Sequence, residues 1–397
     1  MKDGYKIIDM DTHVNPSMEV LEKYVDASFR PRLAELKPYY SMQQRPRPDG
    51  TVQTSMGLSV APIPYDRFPG EAPREEHTRA VPGARTALEG RVVTQHRRAV
   101  RLGVSDENAE GRIADMDLEG RDIDFIFPGT WAASLTALDV TLAEGLYRAY
   151  HRYMHDYTAK YPDRLKSAAQ VPGGDVAWAI KEIQALAQER WLAAVWVHLP
   201  EGKPIDHPDF EPLWATMHDL DLPLIHHSFF VEPPYFPGYR DIWGNAAVAR
   251  TAAHPWGAAR FCAYVIVSGL FDRYPNFRAA VAEVGHGWLP HWAIRLGQMI
   301  KYVSGSVPKL QYTPLEYVQQ GRFKCTAEPF EGPEMTRACL DILGDGALMH
   351  QSDYPHGEAY FPDTAEMVLH WPIWSALGEQ TLRKYMYDNA ATFLRLI

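Results

Sequence analysis

Two stretches near opposite ends of the chain carry residues that could share one cation. Lys6-Ile7-Ile8-Asp9-Met10-Asp11-Thr12-His13 is a short apolar run that ends in acid and imidazole. Asp11 and His13 are two apart, so on a strand they face the same side. Ala347-Leu348-Met349 runs into His350-Gln351-Ser352-Asp353 and then a turn at Pro355 and Gly357. It reads as a buried strand that delivers Asp353 to a loop mouth. A carboxylate at such a place is costly unless something positive meets it. A divalent cation between the two strand ends would account for both acids and the histidine.

The same pattern recurs between them. The apolar run 192–197 ends in His198, 222–225 ends in His226-His227, and 278–282 ends in Glu283 with His286 three residues on. Two imidazoles and two carboxylates drawn from such a set suit Zn2+, with Mn2+ or Fe2+ as alternatives. Catalytic zinc keeps about three protein ligands and an open position for water or substrate. The competing reading is a buried ion-pair network of structural use only.

What must position these residues is a regular alternation. From residue 112 a short helix leads to a strand at 124–127, and a helix over 138–161 is stopped by Pro162. A strand at 167–171 is followed by Asp175, an N-cap for Val176, Ile180, Ile183 and Leu186 at helical spacing. Helices are also expected over 210–220, 258–271, 288–303, 335–343 and 382–394, with a weak strand at 321–326. Eight continuously apolar strands separated by helices predict a parallel sheet, and eight such units predict a closed barrel. The fold class is therefore α/β, a (β/α)8 TIM barrel read as one domain over 1–397. In that fold the C-terminal strand ends converge on one face. No Gly-x-Gly-x-x-Gly follows the first strand, which removes the main sign of a dinucleotide fold. The stretch 29–101 lacks periodicity and reads as a long insertion after strand 1, an ordered lid over that strand's end. His77 and His96 lie in it as solvated residues.

The totals exclude some partners. The chain has 397 residues, a formal net charge of -10 and no long acidic run, and nucleic acid needs clustered Lys and Arg. No stretch of ~18 uncharged apolar residues is present, so no membrane span is expected. Cys262, Cys325 and Cys339 are at no ligand-like spacing and read as reduced core thiols of a cytoplasmic protein. Aromatic residues that follow strand ends, Trp131 and Phe229, together with His198 and His356, are candidates for lining the pocket and touching a small-molecule substrate.

Ile8-Asp9-Met10-Asp11-Thr12-His13 resembles the strand-one metal motif of the amidohydrolase superfamily. Gly269-Leu270-Phe271-Asp272-Arg273-Tyr274-Pro275, Ala282-Glu283-Val284-Gly285-His286-Gly287-Trp288-Leu289-Pro290, Ser352-Asp353-Tyr354-Pro355-His356 and Asp388-Asn389-Ala390-Ala391 are similar to its aminocarboxymuconate-semialdehyde decarboxylase-like branch. The resemblance spans most of 5–15 and 112–397. It implies Asp11, His13, His227 and Asp353 as metal ligands, and it selects His227 over His226 because His227 lies four residues after Pro223. The branch usually has His at the end of strand six and an acid three residues later; here Glu283 precedes His286. The resemblance further implies a homodimer and non-oxidative decarboxylation of a small aromatic or unsaturated carboxylic acid. In that reading His286 donates the proton, Glu283 orients it, and Asp353 serves both metal and catalysis. The alternative is hydrolysis of a C–C, ester or amide bond by a metal-activated water.

Overall fold

The run Leu-Ala-Ala-Val-Trp-Val-His over 192–198 has no polar residue before its last position, and all seven positions are buried. A strand covered on both faces belongs to a parallel sheet flanked by helices. The structure, a computed structural model, describes residues 1–46, 52–58, 109–129, 131–200, 202–227, 246–356 and 359–397. Among these, strands β1 (Ile8–His13), β4 (Ile123–Phe127), β5 (Leu165–Pro172), β6 (Leu192–His198), β7 (Leu224–His227), β8 (Ala279–Ala282), β9 (Phe323–Ala327) and β10 (Leu348–His350) pair in that order, each parallel to the next. Helices lie between them, as the alternation predicts. The cycle closes where β1 meets the segment after β10: His13 N donates to Tyr354 O at 2.7 Å and Asp353 N to Asp11 O at 2.9 Å. The barrel therefore shuts through the residues singled out for chemistry.

Alternate strand residues separate into two apolar layers. Met10, Phe125, Phe127, Ala168, Trp196 and Met349 pack together with Phe393 and Leu394 of the last helix. Their strand neighbours Ile126, Ala169, Val195, Val197 and Leu348 pack instead with the helices. Asn389 fixes the closing helical segment, donating to Asp345 O at 2.7 Å and Leu348 O at 2.8 Å at the base of β10.

A buried ionic layer ties β1, β4 and the β10 segment together. Arg121 Nη1 donates to Asp124 Oδ1 at 2.8 Å and lies 3.4 Å from Asp9 Oδ2, while its Nε is 3.0 Å from Glu119 Oε2. Arg112 Nη1 donates to Asp124 Oδ2 at 3.0 Å, and its other nitrogen donates to the His13 carbonyl. Both guanidinium groups lie over the Tyr354 ring, at 5.1 and 4.5 Å. Asp9 accepts from Ser352 N at 2.9 Å and from the Ser352 hydroxyl. A structural ion-pair network thus exists, and it is built on Asp9 rather than on Asp11.

The stretch after β1 differs from its expected irregularity. Arg30–Tyr39 forms a 3-10 run, and β2 (Tyr40–Pro46) pairs antiparallel with β3 (Val52–Leu58). Val52, Met56 and Leu58 of β3 fall on one strand face, an alternation too short to stand out in the sequence. The remainder of the expected lid, with His77 and His96, lies outside the described residues. The expected helix over 382–394 is divided by a π turn at Lys384–Asp388. No helix of the described residues is long and apolar enough to cross a membrane.

Candidate active site

Strand periodicity sends Asp11 and His13 from β1 and His227 from β7 to the interior of the C-terminal face. His226, its neighbour, points the other way and packs on Phe261 at 4.0 Å between ring centroids. Glu283 directly follows β8, and Asp353 follows β10. Asp11, His13, His227 and Glu283 offer ligand atoms within 4.8 Å of one another, and His13, Glu283, Asp353 and His356 form an overlapping set. His227 Nε2 lies 3.0 Å from Glu283 Oε2 and 3.2 Å from Asp11 Oδ1. His13 Nε2 lies 3.0 Å from Asp353 Oδ1 and 3.3 Å from Asp11 Oδ1. The rings are held from the side: His13 stacks on His356 at 4.2 Å, and His227 packs on Phe127 at 4.5 Å. Glu283 and Asp353 have φ of 52° and 63°. Such backbone costs about 1–3 kcal/mol for a side chain other than glycine and persists where the surroundings fix it.

Both carboxylate oxygens of Asp11 and of Asp353, with Nε2 of His13 and of His227, are buried and, among the described residues, meet only the imidazole and carboxylate groups of the cluster itself, with no backbone or hydroxyl donor. Buried polar atoms are nearly always satisfied. Converging oxygen and imidazole atoms of this kind fit a divalent cation. The charge balance says the same. Burial alone would depress His227, but Asp11 and Glu283 beside it raise it to about 9. In His13 burial is likewise outweighed, by Asp11 and Asp353, and the ring is held well above its usual range. Protons here stand where a cation would supply the positive charge. A ligating imidazole must be neutral, so below about pH 9 a metal must displace these protons, and affinity falls as pH falls. The apparent Kd for Mn2+ is expected to weaken by roughly 10- to 100-fold per pH unit, for one or two protons released. Manganese titrations followed by electron paramagnetic resonance at pH 8 and pH 7 measure this; equal affinities would remove both histidines from the ligand set.

The amidohydrolase family model matches residues 8–396. The chain belongs to the amidohydrolase family. Gamma-resorcylate decarboxylase from Polaromonas sp. strain JS666 is 23% identical over 270 residues, covering 65% of this chain and 78% of that protein. The fold is shared with 5-carboxyvanillate decarboxylase LigW from Sphingomonas paucimobilis, with a TM-score of 0.68 at 21% identity over 99% of both chains. It is also shared with 5-carboxyvanillate decarboxylase from Novosphingobium aromaticivorans complexed with manganese and 4-hydroxy-3-methoxy-5-nitrobenzoic acid. There the TM-score is 0.66 at 20% identity, covering 99% of this chain and 97% of that one.

The remaining expected site residues of this amidohydrolase are distributed differently. His286 does not join the cluster: its Nε2 is 3.0 Å from Thr336 Oγ1 and its Nδ1 2.9 Å from Glu331 Oε2. The left-handed residues Glu283 and Gly285 reverse the chain between them, so Glu283 enters the barrel mouth and His286 leaves it. Trp131 packs on Tyr150 at 6.0 Å and Tyr147 at 6.5 Å. His198 stacks between Trp196 and Tyr147, with Nε2 2.9 Å from Gln170 Oε1, and burial depresses it to about 3. Neither Trp131 nor His198 lines the cleft beside Glu283 and Asp353. His356 reaches the cluster, with Nδ1 2.6 Å from Asp353 Oδ1. Phe229 lies outside the described residues.

Sequence reasoning missed Glu328 and Glu331. Glu328 follows β9, lines the same cleft, and is held well above the usual carboxylate range by burial and then by Glu283 and Asp353. Glu331 Oε2 accepts from the backbone of His286 at 2.9 Å and Gly287 at 2.8 Å, clamping the turn that presents Glu283. A Cβ on Gly285, whose φ is 68°, would sit 2.3 Å from Glu331 Oε1. Gly285→Ala is therefore expected to destabilise the protein by about 1–3 kcal/mol and to weaken metal binding. Thermal unfolding and manganese titration check both; wild-type values would show that the clamp does not position Glu283.

Proposed function

We propose that the chain is a divalent-metal-dependent decarboxylase of a small hydroxylated aromatic carboxylic acid, with Asp11, His13, His227, Glu283 and Asp353 holding the metal. The observation that carries this is the convergence of buried carboxylate and imidazole atoms of Asp11, His13, His227, Glu283 and Asp353 at the barrel mouth. Manganese is the metal we favour over zinc, because three carboxylates to two imidazoles make an oxygen-rich set and a relative of the same fold was solved with manganese. When bound, the cation would chelate the substrate carboxylate with an adjacent oxygen and fix the ring.

The chain's own groups then move one proton. Decarboxylation breaks the ring–carboxylate bond and leaves carbon dioxide, and the ring carbon takes a proton in its place. Asp353 is the proton carrier in this reading. Its Oδ1 lies 2.6 Å from His356 Nδ1. His356, which touches Asp353 and is partly exposed, restores the proton from solvent. His286 is left out because its two ring nitrogens are engaged elsewhere.

The test is direct. Protein loaded with Mn2+ or Zn2+ and incubated with a panel of hydroxybenzoates is expected to release carbon dioxide and the matching phenol. Chelation should stop the reaction, and added metal should restore it. A stoichiometrically loaded protein that releases no carbon dioxide from any of them would refute the proposal. A water-addition product would favour hydrolysis.

A further inference from the structure

The barrel order places β9 between β8 and β10. Glu328, the first residue after β9, therefore stands between the strands that deliver Glu283 and Asp353. All three line one cleft, to which Phe330 and Tyr360 add aromatic surface. Glu328 is 5% exposed, so it is no surface acid. The Gly285 backbone N–H donates to its carboxyl, and the other charges acting on it, Glu283, Asp353 and Glu331, are all carboxylates.

A carboxyl offers about four acceptor positions. One backbone donor leaves most of them open, in a place where water is largely excluded. A ligand group that donates a hydrogen bond would satisfy Glu328; a C–H edge would leave it unsatisfied. Glu328 belongs to neither set of candidate metal ligands. We propose that Glu328 is the specificity-determining residue that accepts a hydrogen bond from a second hydroxyl group on the substrate's ring. This rests on the decarboxylase reading, since it assumes that the ring lies beside Glu283 and Asp353.

The test compares salicylate with 2,3-, 2,4-, 2,5- and 2,6-dihydroxybenzoate on manganese-loaded protein. Each keeps the carboxylate and its adjacent hydroxyl, so the preference for one isomer isolates the second hydroxyl. Wild-type protein is expected to prefer one dihydroxy isomer over salicylate by at least about 100-fold in kcat/KM, because a site built to hydrogen-bond a hydroxyl rejects the analogue lacking it. Glu328→Gln keeps an acceptor oxygen and should reduce that ratio about 10-fold; Glu328→Ala should bring it near unity. A merely structural role would lower kcat/KM for all five acids alike and leave the ratio as in wild type. That result, or a wild type without preference, overturns the proposal, and Glu328→Gln decides it if the alanine variant does not fold. A wild type that releases no carbon dioxide counts instead against the decarboxylase reading. The ratio is then read from the Kd of the same acids, by the same criteria.

Discussion

Asp353→Asn is expected to lower kcat/KM roughly 10²- to 10⁴-fold, the range lost when a positioned proton-transfer group is removed. The substitution keeps the side chain's size and shape. Asparagine also tolerates the left-handed backbone that Asp353 adopts at φ 63°, so the turn can survive it. What goes is one negative charge beside His13 Nε2 at 3.0 Å, one of the converging oxygens, and the group that carries a proton to the ring. The two losses can be told apart. Metal content measured beside the kinetics shows whether the variant fails to bind or fails to turn over. A variant with a tenth of wild-type activity and full metal would remove Asp353 from the chemistry.

The site was legible where one rule held: an apolar strand ending in an acid or imidazole. That rule names Asp11, His13, His198, His226, His227, Glu283 and Asp353; the structure gathers Asp11, His13, His227, Glu283 and Asp353 and turns His198 and His226 away. It would have named Glu328 too, but β9 carries Lys324, whose charge interrupts the apolar run. Lys324 is 4% exposed and caps the Gly346 carbonyl, so the strand is as buried as its neighbours. His286 shows the opposite failure. Its spacing from Glu283 is plain, but spacing does not reveal that Glu283 and Gly285 turn left-handed and send the two side chains apart. Asp9 shows a third. It shares a strand with Asp11 at a spacing that suggests one role for both, yet the pairing of β1 with β4 shifts register between Asp9 and Thr12. Nothing in the periodicity of 109–121 marks Arg112 and Arg121 as buried partners for Asp9 and Asp124.

Arg121→Met is expected to destabilise the fold by about 3–5 kcal/mol, the loss found when one member of a buried charge network is removed. Asp9, Glu119, Asp124 and Arg121 are all essentially without exposure. Methionine fills much of the volume but leaves Asp9 and Glu119 facing each other with no cation between them, while Asp124 keeps Arg112. The pH dependence separates this from a packing defect. Asp9 is already pushed up to about 8, chiefly by burial, with Arg121 pulling it down. A carboxyl raised in the folded state favours the fold fully below its unfolded value near 4, and that contribution is lost as pH rises through the folded value. Without Arg121 the folded value climbs further, so the variant keeps losing stability above pH 8 where wild type levels off, and its deficit should widen between pH 7 and pH 9.5. Unfolding midpoints of the metal-free proteins at pH 7 and pH 9.5 measure it. A deficit that is the same at both would assign the loss to packing, and a variant as stable as wild type at pH 9.5 would show that the closure of β1 on the β10 segment does not depend on this arginine.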